Sequence, residues 1–204
     1  MKIGRLAQLG RSSIAVLILS GSASMAWTQT HDAHSGGSAA QQHKPGPLDG
    51  ALVKAVREAT EPYRDVSNAI QDGYGLLFGC VSGGDYGAMG LHFVNAGKVF
   101  DKGELDVKSP EIVLYEPLPN GRFRITGADY LVIAADWDAK HPGQPPELMG
   151  QLLHLFDSPN RFGLPAFYTL HVWAWKDNPN GTFTNWNPAV SCDAFTPETS
   201  PVNQ

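Results

Sequence analysis

The segment AFYTLHVWAWK, residues 166–176, is an apolar run rich in aromatic and β-branched residues. A run of this length and composition predicts a central β-strand. Side chains alternate across a strand, so this one has two distinct faces. One face carries Leu170, Val172 and Ala174, and the other carries Thr169, His171, Trp173 and Trp175.

A second segment, AMGLHFVN at residues 88–95, alternates in the same way. Met89, Leu91 and Phe93 fall on one face, and His92 falls on the other. If the aliphatic faces form a helix-covered core, His92 and His171 both point to the opposite side of the sheet. Two such histidines are expected to converge only if their strands are neighbours.

The remaining elements predict the fold class. Apolar residues between Leu52 and Ile70 recur every three or four positions, which predicts helix, and Pro62 should split that helix. Residues 111–118 and 123–135 read as strands joined by an Asn120-Gly121 hairpin turn. Leu148, Leu152 and Leu155 give the buried face of a further helix, and residues 182–186 an edge strand. We therefore predict an α+β domain with an antiparallel sheet of about four to five strands and N-terminal helices packed on one face.

The N-terminal region predicts export. Residues 1–26 have the basic start, short apolar core and small residues before a cleavage point that are typical of a signal peptide. Residues 27–47 predict a flexible linker, and residues 48–204 a single domain. A periplasmic or secreted location follows, and in that oxidising compartment Cys80 and Cys192 are expected to form a disulfide.

The charge balance excludes some partners. The chain has 15 basic and 20 acidic residues, a formal net charge of −5. Removal of three basic residues with the signal peptide makes the remainder more acidic, which disfavours nucleic acid. No apolar run after the signal peptide is long enough for stable membrane insertion. The sequence also lacks a phosphate-binding glycine loop and a GxSxG nucleophile motif.

The predicted site lies on the sheet face opposite the aliphatic core. Aromatic walls with a few polar groups are typical of a ligand pocket, and the candidates for ligand binding are His92, Tyr115, His171, Trp173 and Trp175. Two imidazoles and a carboxylate suit a transition metal such as Zn, Fe or Cu, and the candidate ligands are His92, His171 and Glu116.

Several functions stay open at this stage. The pocket predicts an exported protein that binds a small molecule or a metal ion. The alternatives are a metal-dependent enzyme that uses the same residues, buried histidines that are merely hydrogen-bonded, and a structural or interaction protein whose aromatic residues face a partner. The oligomeric state does not follow from the sequence.

Three stretches carry a resemblance. Residues 87–95 (GAMGLHFVN), residues 167–179 (FYTLHVWAWKDNP, continuing to Ser191 and Cys192) and residues 59–74 together resemble a group of uncharacterised exported bacterial proteins. The likeness covers about residues 50–195. It implies export and a single domain, and it implies no catalytic residues.

Overall fold

A computed structural model describes residues 47–197. Residues 1–46 lie outside the described residues, and they include the predicted signal peptide and all of the predicted linker except Pro47. Within residues 47–197, no helix is both long enough and apolar enough to cross a bilayer.

The chain enters the described region through two helices separated by a short 3-10 turn. Helix α1 spans Pro47–Thr60, the turn spans Glu61–Arg64, and helix α2 spans Val66–Gln71. The predicted break at Pro62 is confirmed, since a proline inside a helix removes a backbone donor. Asp65 restarts the helix as its N-cap, because its side chain accepts a hydrogen bond from the Ser67 amide at 3.0 Å.

Eight strands and two more short helices follow. The strands are β1 (Gly75–Ser82), β2 (Ala88–Val94), β3 (Ile112–Pro117), β4 (Phe123–Ile133), β5 (Glu147–Leu148), β6 (Gln151–Leu152), β7 (His154–Phe156) and β8 (Phe167–Val172). The helices are α3 (Ala96–Val99) and α4 (Ala134–Lys140). Six strands form one curled antiparallel sheet in the order β1-β2-β3-β4-β8-β7, and β5 and β6 form a separate hairpin. The prediction of an α+β domain with an antiparallel sheet is confirmed.

The predicted count of four to five strands is wrong, because the sheet has six. Residues 75–82 form an edge strand that the sequence analysis missed, and the helices are not confined to the N-terminal part. The predicted helix around Leu148 and Leu152 is also wrong. Met149 and Gly150 both have positive φ angles, of 50° and 88°, which turn the chain into the β5–β6 hairpin. Residues 182–186 form a turn, a bend and irregular backbone rather than an edge strand.

The sheet buries a different set of side chains on each face. On one face, Leu52 and Val56 of α1 pack with Tyr130 of β4 and Leu170 of β8. Ala69 of α2 packs on the same side of the sheet, in a cluster built on β2 and β3. The other face carries its own apolar cluster, which is covered by residues of the loop between β7 and β8. The members of this second cluster on β3, β4 and β8 are Ile112, Leu114, Leu131, Ile133 and Phe167.

The predicted disulfide is confirmed. Cys80 of β1 is bonded to Cys192, and the bond closes a loop between positions 112 residues apart. It ties an edge strand to the C-terminal segment that follows the sheet.

Candidate metal centre

Three buried polar side chains meet on the sheet face opposite α1 and α2. They are His92 of β2, Asp129 of β4 and His171 of β8. Each offers one potential ligand atom, and these atoms all lie within 4.8 Å of one another. The rings of His92 and His171 have centroids 5.8 Å apart.

The curl of the sheet brings these side chains together. Strands β3 and β4 lie between β2 and β8, so the expectation that the two histidines converge only if their strands are neighbours is wrong. In a flat sheet, three inter-strand steps of about 4.8 Å would hold the two backbones far apart. On the concave face of a curled sheet the side chains converge, and Asp129 lies directly opposite His171 in the β4–β8 register.

Two contacts orient the ligand atoms. The Nδ1 atom of His92 lies 3.2 Å from the carbonyl oxygen of Gly90, an acceptor, so this nitrogen carries the proton. That tautomer leaves the Nε2 lone pair available for a metal ion. The Thr169 hydroxyl donates a hydrogen bond to Oδ1 of Asp129 and fixes the carboxylate.

His171 is the most unusual member of the group. Its side chain is 3% exposed, and neither ring nitrogen has a hydrogen-bond partner. Nδ1 lies 3.4 Å from Oδ1 of Asp129, but this contact does not meet the geometry of a hydrogen bond. A buried polar atom without a partner costs on the order of 1–3 kcal/mol, so the imidazole is expected to gain from a partner in the centre.

Burial determines the protonation of the centre. It lowers the pKa of His92 to about 4, with a further contribution from His171. Burial likewise lowers the pKa of His171 to about 3. Both imidazoles are therefore neutral near pH 7, which is the ligating form. Burial raises the pKa of Asp129 to about 6, although the hydrogen bond from Thr169 acts to lower it. The carboxylate is therefore mostly ionised at neutral pH.

A small cavity opens beside the three side chains. Its volume is about 20 Å³, enough for one water-sized species and too small for an organic substrate. Apart from the centre and Thr169, the lining is apolar, and it includes four phenylalanines, at positions 78, 156, 162 and 167. Phe78 is 46% exposed and contacts Phe162 edge-on, at a centroid distance of 5.3 Å. Bulk water therefore has little access to the centre.

The aromatic candidates from the sequence lie apart from this cavity. Tyr115 points to the helix-covered face, where its hydroxyl donates to the carbonyl of Tyr63 at 2.7 Å. The indole of Trp175 donates to the Thr60 hydroxyl at the end of α1. Trp173 stands 6.1 Å from the His171 ring but does not line the cavity. Of the five ligand-binding candidates, only the two histidines line the cavity.

Glu116, the carboxylate suggested by the sequence, belongs to a different cluster. Its oxygens accept hydrogen bonds from Lys176 at 2.7 Å and from Arg124 at 2.5 Å. The carboxylate that the structure brings to the histidines is Asp129, which the sequence analysis missed. A signal was present, because Asp129 is a lone acid within the buried run of β4, and a buried acid requires a partner.

The comparisons with known proteins add no relative to this picture. No family model, no curated protein and no solved structure matches the chain.

Proposed function

We propose that this is an exported protein that binds one transition-metal ion through His92, Asp129 and His171. The observation that carries the proposal is the unsatisfied, fully buried imidazole of His171, which lies beside a carboxylate and a second neutral imidazole. A metal ion would give all three side chains a partner at once.

The chemistry of the donors supports a transition metal over calcium or magnesium. Imidazole nitrogen suits Zn, Cu and Fe, whereas Ca²⁺ and Mg²⁺ prefer oxygen ligands. The hydrogen bonds from His92 to Gly90 and from Thr169 to Asp129 are outer contacts of the kind that orient metal ligands. The small cavity volume favours binding of an ion over turnover of an organic substrate.

Export is supported by two independent features. The N-terminal 26 residues have the pattern of a signal peptide. The Cys80–Cys192 disulfide fits a protein that folds in an oxidising compartment.

The test is metal analysis of the mature chain, expressed without an affinity tag and exposed to equimolar Zn²⁺, Co²⁺ or Cu²⁺. We expect one ion per chain, and we expect a His92→Ala, His171→Ala double variant to lose it. The matched control is His141→Ala, at the C-terminal end of α4, because His154 lies opposite Thr169 on β7 and acts electrostatically on His171. The linker histidines remain in every variant, so ions held there are common to all samples.

Circular dichroism on the double variant and on the control separates loss of ligands from loss of fold. Equal metal content in the wild type and in a folded His92→Ala, His171→Ala variant would contradict the proposal. A wild-type protein that binds no ion would contradict it as well.

A further inference from the structure

A methionine side chain that regular alternation assigns to the other sheet face also lines the cavity beside the centre. Met89 is 2% exposed and lines the same cavity as His92, Asp129 and His171. Regular alternation would place Met89 and His92 on opposite faces of β2, because they are three residues apart. Gly90, between them, has a φ of 87°, and the β1–β2 register shifts next to it. This irregularity allows both side chains to reach the cavity.

A thioether changes which metal fits best. Methionine sulfur is a soft, neutral ligand that favours Cu(I), whereas Zn²⁺ in proteins is bound by thiolate, imidazole and carboxylate. Two neutral imidazoles with one thioether are a donor set suited to a soft monovalent ion.

The charge of the cavity indicates the same ion. Asp129 contributes one negative charge, and the imidazoles and the thioether contribute none. A monovalent cation makes this centre neutral, whereas a divalent cation leaves one uncompensated positive charge in an apolar enclosure, which is costly.

The walls of the cavity exclude the water that a harder ion retains. Phenylalanine and leucine side chains surround the centre, and the volume of about 20 Å³ leaves no room for a hydration shell. We propose that the ion bound here is monovalent copper, held by the imidazoles of His92 and His171 and the thioether of Met89, with Asp129 supplying the compensating charge. This inference rests on the proposed metal-binding function.

The test compares the wild type with Met89→Leu, a substitution that removes the sulfur and nearly conserves volume. Cu(I) affinity is measured without oxygen, by competition with the chromogenic chelator bicinchoninate, and Zn²⁺ affinity is measured in parallel. We expect Met89→Leu to lose at least tenfold in Cu(I) affinity and to change less than threefold for Zn²⁺. The matched control is Met149→Leu, on the partly exposed β5–β6 turn, which should change neither affinity.

A second measurement needs no variant. X-ray absorption at the copper edge of the Cu(I)-loaded wild type should show one sulfur among nitrogen and oxygen neighbours. A wild type that binds Zn²⁺ at the histidines but has no sulfur neighbour on copper, or an unchanged Cu(I) affinity in Met89→Leu, would overturn the copper assignment alone. A wild type that binds no ion at His92 and His171 would overturn the proposed function together with it.

Discussion

Two buried carboxylates on the curled sheet, those of Glu116 and Asp129, differ in whether cationic side chains contact them. Glu116, near the end of β3, is bound by both Lys176 and Arg124 and also accepts the backbone amide of Ser191 at 3.2 Å. Asp129, on β4, accepts hydrogen bonds from the Thr169 hydroxyl and the Leu170 backbone, and Nδ1 of His171 lies 3.4 Å from its Oδ1. No lysine or arginine within the described residues bridges to it.

The pKa values of the two groups reflect this difference. Burial acts to raise the pKa of Glu116, but the hydrogen bonds from Lys176 and Arg124 outweigh it and hold the pKa below its ordinary value. Burial raises the pKa of Asp129 to about 6 because no cationic side chain offsets it. The Glu116 cluster therefore contains its own cations, whereas no lysine or arginine of the described residues neutralises Asp129.

The largest expected effect is on the Glu116 side of the molecule, where the disulfide anchors the segment that contains Ser191. Replacing both Cys80 and Cys192 by alanine should lower the free energy of unfolding by up to about 4–5 kcal/mol, because the 112-residue loop is no longer closed in the unfolded chain. Urea denaturation of the double variant measures the loss. Metal binding should persist below the new midpoint, and its disappearance in a folded double variant would show that the two regions are not independent.

The next effect is a pH dependence of the free energy of unfolding, caused by Glu111, a buried acid near Asp129. Burial raises the pKa of Glu111 to about 8 from 4.5, so the folded state resists ionisation that the unfolded chain undergoes freely. As pH rises from 4.5 to 8, the wild type should lose stability relative to Glu111→Gln, by roughly 1 kcal/mol per pH unit. Glutamine can still accept the Leu131 amide that now bonds to Glu111 at 3.0 Å.

Urea midpoints for both proteins across this pH range provide the measurement. Near pH 4.5 the two should differ little, which serves as the internal reference. A constant difference in stability at every pH would show that folding does not raise the pKa of Glu111.

The sequence predicts which sheet face carries the histidines better than it predicts which strands are neighbours. Period-two alternation correctly places His92 and His171 on the face opposite the helices, because that period is local to each strand. It does not specify which strands are neighbours, so it paired the histidines with Glu116 instead of Asp129. Strand order depends on contacts between distant segments, such as the insertion of β4 between β3 and β8.

Local irregularities account for the other errors. Gly90 breaks the alternation of β2 and brings Met89 to the face that strict parity assigns to His92. Met149 and Gly150 have positive φ angles and form a hairpin turn where the spacing of the leucines predicts a helix. The conformation of a glycine and the space around it are set by the folded sheet, and a single sequence shows only that the residue is a glycine.

Glu116→Gln tests the Glu116 cluster, in which Lys176 and Arg124 neutralise the carboxylate. It should lower the free energy of unfolding by about 1–3 kcal/mol, because Lys176 is mostly buried and would lose its counter-charge. The matched control is Glu104→Gln, which breaks an exposed ion pair with Lys140 and should lower the free energy of unfolding far less, because solvent screens that pair. Equal effects of the two substitutions in urea denaturation would contradict the structural role of the Glu116 cluster, and metal affinity should not change in either variant.

Asp129→Asn should act in the opposite direction on the metal-free protein. The substitution removes a buried charge that lacks a cation, and asparagine can still accept the Thr169 hydroxyl. Because the folded pKa of Asp129 is raised from 3.8 to about 6, the wild type loses stability relative to the variant as pH rises between these values. Above pH 6 the variant should be more stable by up to about 3 kcal/mol in urea denaturation, since each unit of pKa shift corresponds to about 1.4 kcal/mol, and below pH 3.8 the difference should vanish. With copper or zinc present the order should reverse, because only the wild type supplies the carboxylate that balances the ion. A variant that is less stable than the metal-free wild type at pH 7 would mean that Asp129 is already compensated within the fold, and the contrast with Glu116 would fail.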